Sequence, residues 1–99
     1  MTMTNLDSTP IVKIDGRVIK NTGSVELTIN SNTVLNIQNI ILTDGNSNAF
    51  VTNLNKRVIS IGDNKITGKI YLLFNASECT VQLITDKGTF IGSVKIVKL

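Results

Sequence analysis

Residues 24–30, SVELTIN, alternate without a fault: Val25, Leu27 and Ile29 fall on one side of an extended chain, and Ser24, Glu26 and Thr28 on the other. A period of two with β-branched residues describes a half-buried strand, because successive side chains of a strand point to opposite faces. The same period recurs along the chain. CTVQLIT sets Cys79, Val81 and Leu83 against Thr80 and Gln82. VLNIQNIIL begins with Leu35 and Ile37 inward and becomes continuously apolar at Ile40-Ile41-Leu42, a change of phase that predicts a bulge or a segment covered on both faces. AFVTNL, RVISI and KIYLLF are further strand-length runs, the last apolar on both faces, and no window carries a helical stripe.

Turn residues separate these runs. Asp15-Gly16, between IVKI and RVIK, is the two-residue signal of a type I′ hairpin. NSNT at 30–33, DGNSN at 44–48 and GDN at 62–64 predict further reversals. Thr85-Asp86-Lys87-Gly88 fits a type I turn followed by a left-handed glycine, the three-residue hairpin with a bulge. Gly92, inside the last run, lets that strand bend or approach another backbone closely. The sum is one all-β domain over residues 10–99, an antiparallel β-sandwich or barrel of about seven to eight short strands, preceded by a flexible segment over residues 1–9. Pro10 suits the start of an edge strand.

Composition bounds the chemistry. Hydrophobic residues are 41% of the chain but aromatics only 4%, so the core must be aliphatic. Charged residues are 17%, below the usual quarter, and Asn, Thr and Ser together supply about a third of the chain in their place. Few groups titrate on such a surface, which suits an extracellular or acidic setting; an AT-rich genome gives the same bias. The net charge of +3 comes from ten bases scattered along the sequence against seven acids. Nucleic-acid binders gather such charge on one face or arm, so nucleic acid is not an expected partner. No stretch approaches the eighteen or so apolar residues of a membrane helix, and Met1 to Pro10 has neither the basic start nor the apolar run of a signal peptide.

Histidine is absent, which removes the commonest general base and metal ligand. Asp15, Asp44, Asp63 and Asp86 each lie within a residue or two of a glycine in an expected turn, where Asp caps its own backbone. Glu26 falls on a polar strand face, and Glu78 adjoins Cys79 with no base nearby. Cys79, the single cysteine, leads an apolar face and reads as a small buried hydrophobe. The glycines form no phosphate-binding loop, and no DxDxDG calcium loop is present. No catalytic, cofactor-binding or metal residue is therefore expected, and the chain is read as a non-enzyme without a cofactor. Asn75-Ala76-Ser77 is a glycosylation sequon, of consequence only in a secreted protein. A sheet face interleaving aromatics with Lys and Arg would suggest a small basic barrel binding single-stranded nucleic acid. The aromatics Phe50, Tyr71, Phe74 and Phe90 form no such platform.

SVELTINSNTVLNIQNIILTDGNSN resembles the paired strands of archaeal extracellular immunoglobulin-like domains, with an alternating strand, an Asn-rich turn and then I..I.LTDG. ITGKIYLLFNASECTVQLITDKGTFIGSVKIV is similar to their closing hairpin. Cys79 stands where the tyrosine of that pattern would be, followed by Val81, Leu83, Thr85, Gly88 and, one residue early, Phe90. The resemblance runs from Ser24 onward. It implies an immunoglobulin-like antiparallel β-sandwich of the kind found in the outer parts of archaeal pilins and of the archaellum's envelope-anchoring subunits. Those proteins carry an N-terminal hydrophobic helix that this sequence does not show. The expectation is thus either an excised ectodomain or a free-standing relative, for example a virus-encoded protein of an archaeal host. Its partner would be another protein or a second copy, met by surface complementarity and by strand addition along Thr89 to Leu99, expected as an exposed sheet edge.

Overall fold

The structure, a computed structural model, describes residues 9–71 and 76–98. The expected flexible segment therefore lies, Thr9 apart, outside the described residues, as do Asn75 of the sequon and residues 72–74 of KIYLLF. The rest is all β: β1 Val12–Ile19, β2 Ser24–Ser31, β3 Leu35–Thr43, β4 Asn48–Phe50, β5 Val58–Ile59, β6 Gly62–Lys69, β7 Glu78–Thr85 and β8 Gly88–Val97.

The strands follow the alternation. In β2 the buried residues are Val25, Leu27 and Ile29, and in β7 Cys79, Val81 and Leu83. The phase change in β3 is a bulge: its register with β7 slips between Ile37 and Asn39, leaving Gln38 and Asn39 both exposed and turning Ile40 and Leu42 inward after Leu35 and Ile37. Each fully buried aliphatic side chain contributes about 1.5–3 kcal/mol. Ile29, Leu35, Ile40, Leu42, Ile59, Ile66 and Leu83 form one cluster with Val18, Val25 and Val81.

Hydrogen bonds join the strands in the order β4-β3-β7-β8-β1-β2-β6, with β5 added to β3. The sheet is mixed and curled into a half-barrel. Two antiparallel groups make it up, β4-β3-β7-β8 and β1-β2-β6. Among the described residues the one ladder between them is short and parallel, Arg17–Ile19 of β1 beside Lys95–Val97 of β8. The far ends of the curl are tied by the chain leaving β4. Thr52 exchanges backbone hydrogen bonds with Lys69 of β6, and the Asn55 and Thr67 residues bond each other twice.

Several expectations are corrected. Asp15-Gly16 is no hairpin turn: β1 pairs with β2 without interruption from Val12↔Ser31 to Ile19↔Ser24. Gly16 is present because β2 lies too close for a side chain, a Cβ there falling 2.1 Å from the Glu26 carbonyl oxygen. GDN is not the reversal itself; Gly62, at φ +103°, opens β6. Of KIYLLF only Lys69, Ile70 and Tyr71 are described, and the rest of the expected doubly covered strand lies outside the described residues. β6 stops at Lys69 because its partner β2 begins at Ser24; Ile70 makes one further bond to the Gly23 carbonyl, and Tyr71 is 78% exposed. The last hairpin closes at Thr85↔Gly88, so its loop is two residues, Asp86 and Lys87, with Gly88 at φ +129°. Gly92 does mark a close approach, to Ile14.

The expected edge strand is also displaced. β8 lies inside the sheet, between β7 and β1, and Lys95 is paired on both sides. The strands at the ends of the order are β4, three residues long, and β6, whose outer edge is occupied by Thr52 and Asn55. Short and covered edges are how β proteins block unwanted pairing. Strand addition along the C-terminal run therefore has no open ladder from Lys95 to Val97.

Candidate functional site

The acids that the sequence placed in turns have four different tasks. Asp44 does cap its turn, its Oδ1 accepting from the Asn46 and Ser47 amides. Asp15 accepts from the Gly16 amide within β1, and Asp63 from the Asn30 side-chain amide across the β2–β6 pair. Asp86 reaches fifty residues back to β3, accepting from both the backbone amide and the side-chain Nδ2 of Asn36 at 2.9 Å. It latches the last hairpin onto the start of β3. These amide donors hold the Asp44 and Asp86 carboxyls below the ordinary aspartate value.

A carboxyl that binds its proton more weakly when folded stabilises the fold above its unfolded pKa, about 4, and loses that contribution as pH falls through the folded value. Thermal unfolding followed from pH 6 to pH 2 is expected to show the midpoint falling below pH 4, and falling less in Asp86→Asn. Parallel slopes for variant and parent would remove Asp86 from this account.

Cys79 is buried, and burial first, then the charges of Asp44 and Glu78, push its thiol up to about 11. A thiolate at neutral pH is thereby disfavoured, as expected of a core cysteine. Among the described residues no group of three His, Cys, Asp or Glu side chains could hold a metal ion. Every buried side-chain nitrogen or oxygen described has a hydrogen-bond partner. Two open hollows, of about 530 and 360 Å³, flank residues 15–17 of β1. Their walls are strand backbone and solvated side chains, including the Arg17–Glu26 pair at 2.9 Å, whose members are about half exposed. A pair so exposed is worth about 0.5 kcal/mol.

The informative feature is the contrast between the two outer faces. The outer face of β1-β2-β6 is a charged checkerboard in which Lys13, Asp15, Arg17, Glu26, Asp63 and Lys65 are all exposed. The pairing sets acids among the bases, with Arg17 opposite Glu26 and Lys13 opposite Asn30, itself opposite Asp63. Across β4-β3-β7-β8 the centre of the outer face carries no charge. Register aligns Phe50, Ile41, Gln82 and Ile91 in one cross-strand row. The row on one side is Asn48, Thr43, Thr80 and Ser93; on the other it is Asn39, Ile84 and Thr89. Phe50 is 60% and Ile91 68% exposed. Charges return around its margin, with the Glu78–Lys95 pair, Asp44, Asp86 and Lys87 at the strand ends and Arg57 against the β3 edge, donating to the Ile37 and Gln38 carbonyls.

Sequence reasoning missed this face because no single strand shows it. Each contributes only two or three uncharged residues, and the strand order that sets them side by side is not local information. Among the described residues no helix is long and apolar enough to cross a membrane. No protein-family model matches the chain, and no curated protein matches it.

Proposed function

We propose that the chain is a non-enzymatic protein–protein interaction module built on an immunoglobulin-like sandwich, and that its working surface is the outer face of β4-β3-β7-β8. One observation carries the proposal: a central, solvent-facing row of Phe50, Ile41, Gln82 and Ile91 with no charge beside it. Interfaces lose charged residues at their centre and gain aromatic ones, and solvated faces do the reverse. Evidence for the sandwich lies in the strand order. β1, β2 and β6 pair in the order of strands A, B and E, and β8, β7, β3 and β4 in the order G, F, C and C′. The resemblance of the segments from Ser24 onward to archaeal extracellular domains favours an envelope, pilus-like or archaeal viral assembly as the setting. The recognition mode is face packing, since β8 lies inside the strand order and its end pairs with β1 over Lys95–Val97.

The alternative, a basic barrel binding single-stranded nucleic acid, draws on the same net charge of +3. The checkerboard on β1-β2-β6 sets an acid near each base, whereas a backbone-tracking groove needs cations in succession.

A photo-crosslinking side chain placed at Ile91 or at Lys65, in cells or particles that make the protein, tests the proposal. Discrete adducts to protein are expected from position 91 and not from position 65. Adducts from position 65 alone, or from neither, would reject the face as a contact surface.

A further inference from the structure

We infer that the end of the molecule where β1, β3, β6 and β8 begin is a lipid-docking surface, which seats Ile11, Val34 and Ile61 in the headgroup boundary of an anionic bilayer. It lies apart from the uncharged face and does not depend on what that face binds. Three observations lead to it.

The first is what register gathers at this end. Ser31, the last residue of β2, pairs with Val12 on one side and with Gly62 on the other. One step further out, Ile11, Asn32 and Ile61 follow side by side, with the two isoleucines about 10 Å apart. Val34 comes next in the β2–β3 connection, beside Lys87 of the β7–β8 turn, whose Nζ donates to the Val34 carbonyl at 2.7 Å. Ile11 is 62%, Val34 45% and Ile61 69% exposed. Connections are ordinarily polar, as KNTG at 20–23 and DGNS at 44–47 are at the other end. Here three neighbouring segments each hold an aliphatic side chain out to solvent.

The second is how the backbone between those side chains is satisfied. The Ile11 amide donates to Asn32 Oδ1, and the Ile11 carbonyl accepts from the Asn32 amide. Asn32 Nδ2 donates to the Thr9 carbonyl. The Thr33 amide donates to Ser31 Oγ, whose hydroxyl donates back to the Thr33 carbonyl. Asn64 takes both the amide and the carbonyl of Ser60. A protein partner brings donors and acceptors of its own, so it does not require this of the surface it covers. The acyl region brings none, and backbone that enters it must be satisfied from within the chain. These connections meet that condition in advance, which favours lipid over protein as the occupant.

The third is charge. Lys13, Lys56, Arg57 and Lys87 lie around the tip, all exposed. The acids at the same end, Asp63 and Asp86, are turned to the Asn30 side-chain amide and to Asn36. Four bases against two acids attract anionic lipid. Long basic side chains behind an apolar tip reach the phosphates while the tip enters the boundary, roughly 5–10 Å deep.

Flotation with phosphatidylcholine vesicles containing about 30% phosphatidylserine, at about 50 mM and about 500 mM salt, reads the docking. The wild type is expected to float at low salt, and at least ten-fold less at high salt or with phosphatidylcholine alone. Ile11→Asp and Ile61→Asp should each reduce flotation at least ten-fold while unfolding as single transitions. Tyr71→Asp at the other end and Ile91→Asp on the uncharged face, which change the net charge equally, should have no such effect. If a tip variant does not fold, bicelles of the same lipids carrying a spin label provide the same test on the wild type. Amide signals of Ile11, Val34 and Ile61 should then broaden, and those of Tyr71 and Ile91 should not. A wild type that does not float at low salt, tip variants that float like the parent, an equal loss in Tyr71→Asp, or broadening that does not single out the tip would overturn the docking. Protein adducts from a photo-crosslinking side chain at Ile61, without flotation, would overturn it too and give this end to a protein partner.

Discussion

Asn64→Leu is expected to unfold the protein at much milder conditions than the parent, with a loss of roughly 3–5 kcal/mol. Asn64 is 2% exposed, near the start of β6, and is similar to leucine in size, so packing alone would tolerate the exchange. Its hydrogen bonds would not. Nδ2 donates to the Ile29, Ser60 and Gly62 carbonyls at 3.2, 2.8 and 3.0 Å. Oδ1 accepts from the Ser60 amide at 2.9 Å and from Lys56 Nζ at 3.3 Å. One side chain thus holds the reversal between β5 and β6 and ties it to β2. Leucine removes every partner at once, the buried bond to Ile29 and the part-buried ones to Ser60 and Gly62, at a cost of up to about 1–3 kcal/mol each that adds incompletely. Against a total of about 5–15 kcal/mol for a domain this size, that is a large fraction.

Asn64→Asp sharpens the test. A carboxylate would place negative charge where three carbonyls now accept, which raises its folded pKa. The neutral acid can still donate one hydrogen bond. The defect of this variant should therefore be smallest below about pH 4 and grow as pH rises, the opposite slope to that of Asp44 and Asp86. Urea unfolding at pH 3.5 and pH 7 measures it. A defect that shrinks with rising pH, or a leucine variant as stable as the parent, would show that these bonds do not hold the turn.

Local order along the strands was legible because it rests on one rule, the alternation of side chains across a pleat. Val25-Leu27-Ile29 and Cys79-Val81-Leu83 are buried as that rule requires, and the bulge in β3 was visible as a break in it. What the rule does not contain is which strand lies beside which. The C-terminal run looked like a free edge because it is long and apolar, yet β1 closes against its end. The uncharged face was invisible for the same reason, its residues being scattered from Asn39 to Ser93 in sequence. GDN read as an ordinary polar turn, and nothing local distinguishes an Asn that caps water-exposed backbone from Asn64, buried beneath it. The absence of His and the single Cys were legible at once.

The misread Asp15-Gly16 leads to the second large effect. A glycine after an aspartate between two apolar runs signals a hairpin because both explain glycine by a turn's positive φ. Here φ of Gly16 is +143°, but the residue sits in an unbroken ladder opposite Leu27. Two separate costs exclude a side chain. The backbone conformation is one that L-residues avoid, worth roughly 1–3 kcal/mol. The Cβ would also lie 2.1 Å from the Glu26 carbonyl oxygen and 2.9 Å from Leu27 Cα, both backbone atoms that cannot turn away. β1 and β2 would have to separate in the middle of their pairing, beside the charged face. Gly16→Ala is therefore expected to cost more than about 3 kcal/mol, lowering the unfolding midpoint by roughly 12 °C or more.

Gly45→Ala supplies the control: φ there is +98°, but nothing lies within 4 Å of the added Cβ, so only backbone strain remains, about 1 kcal/mol. Differential scanning calorimetry of the two variants separates the terms. If both lose the same few degrees, strain alone accounts for Gly16 and the close approach of β2 is not what selects it. If Gly16→Ala falls far below Gly45→Ala, the glycine is there to let two strands touch, and the Asp-Gly pair in this chain marks the middle of a strand pairing.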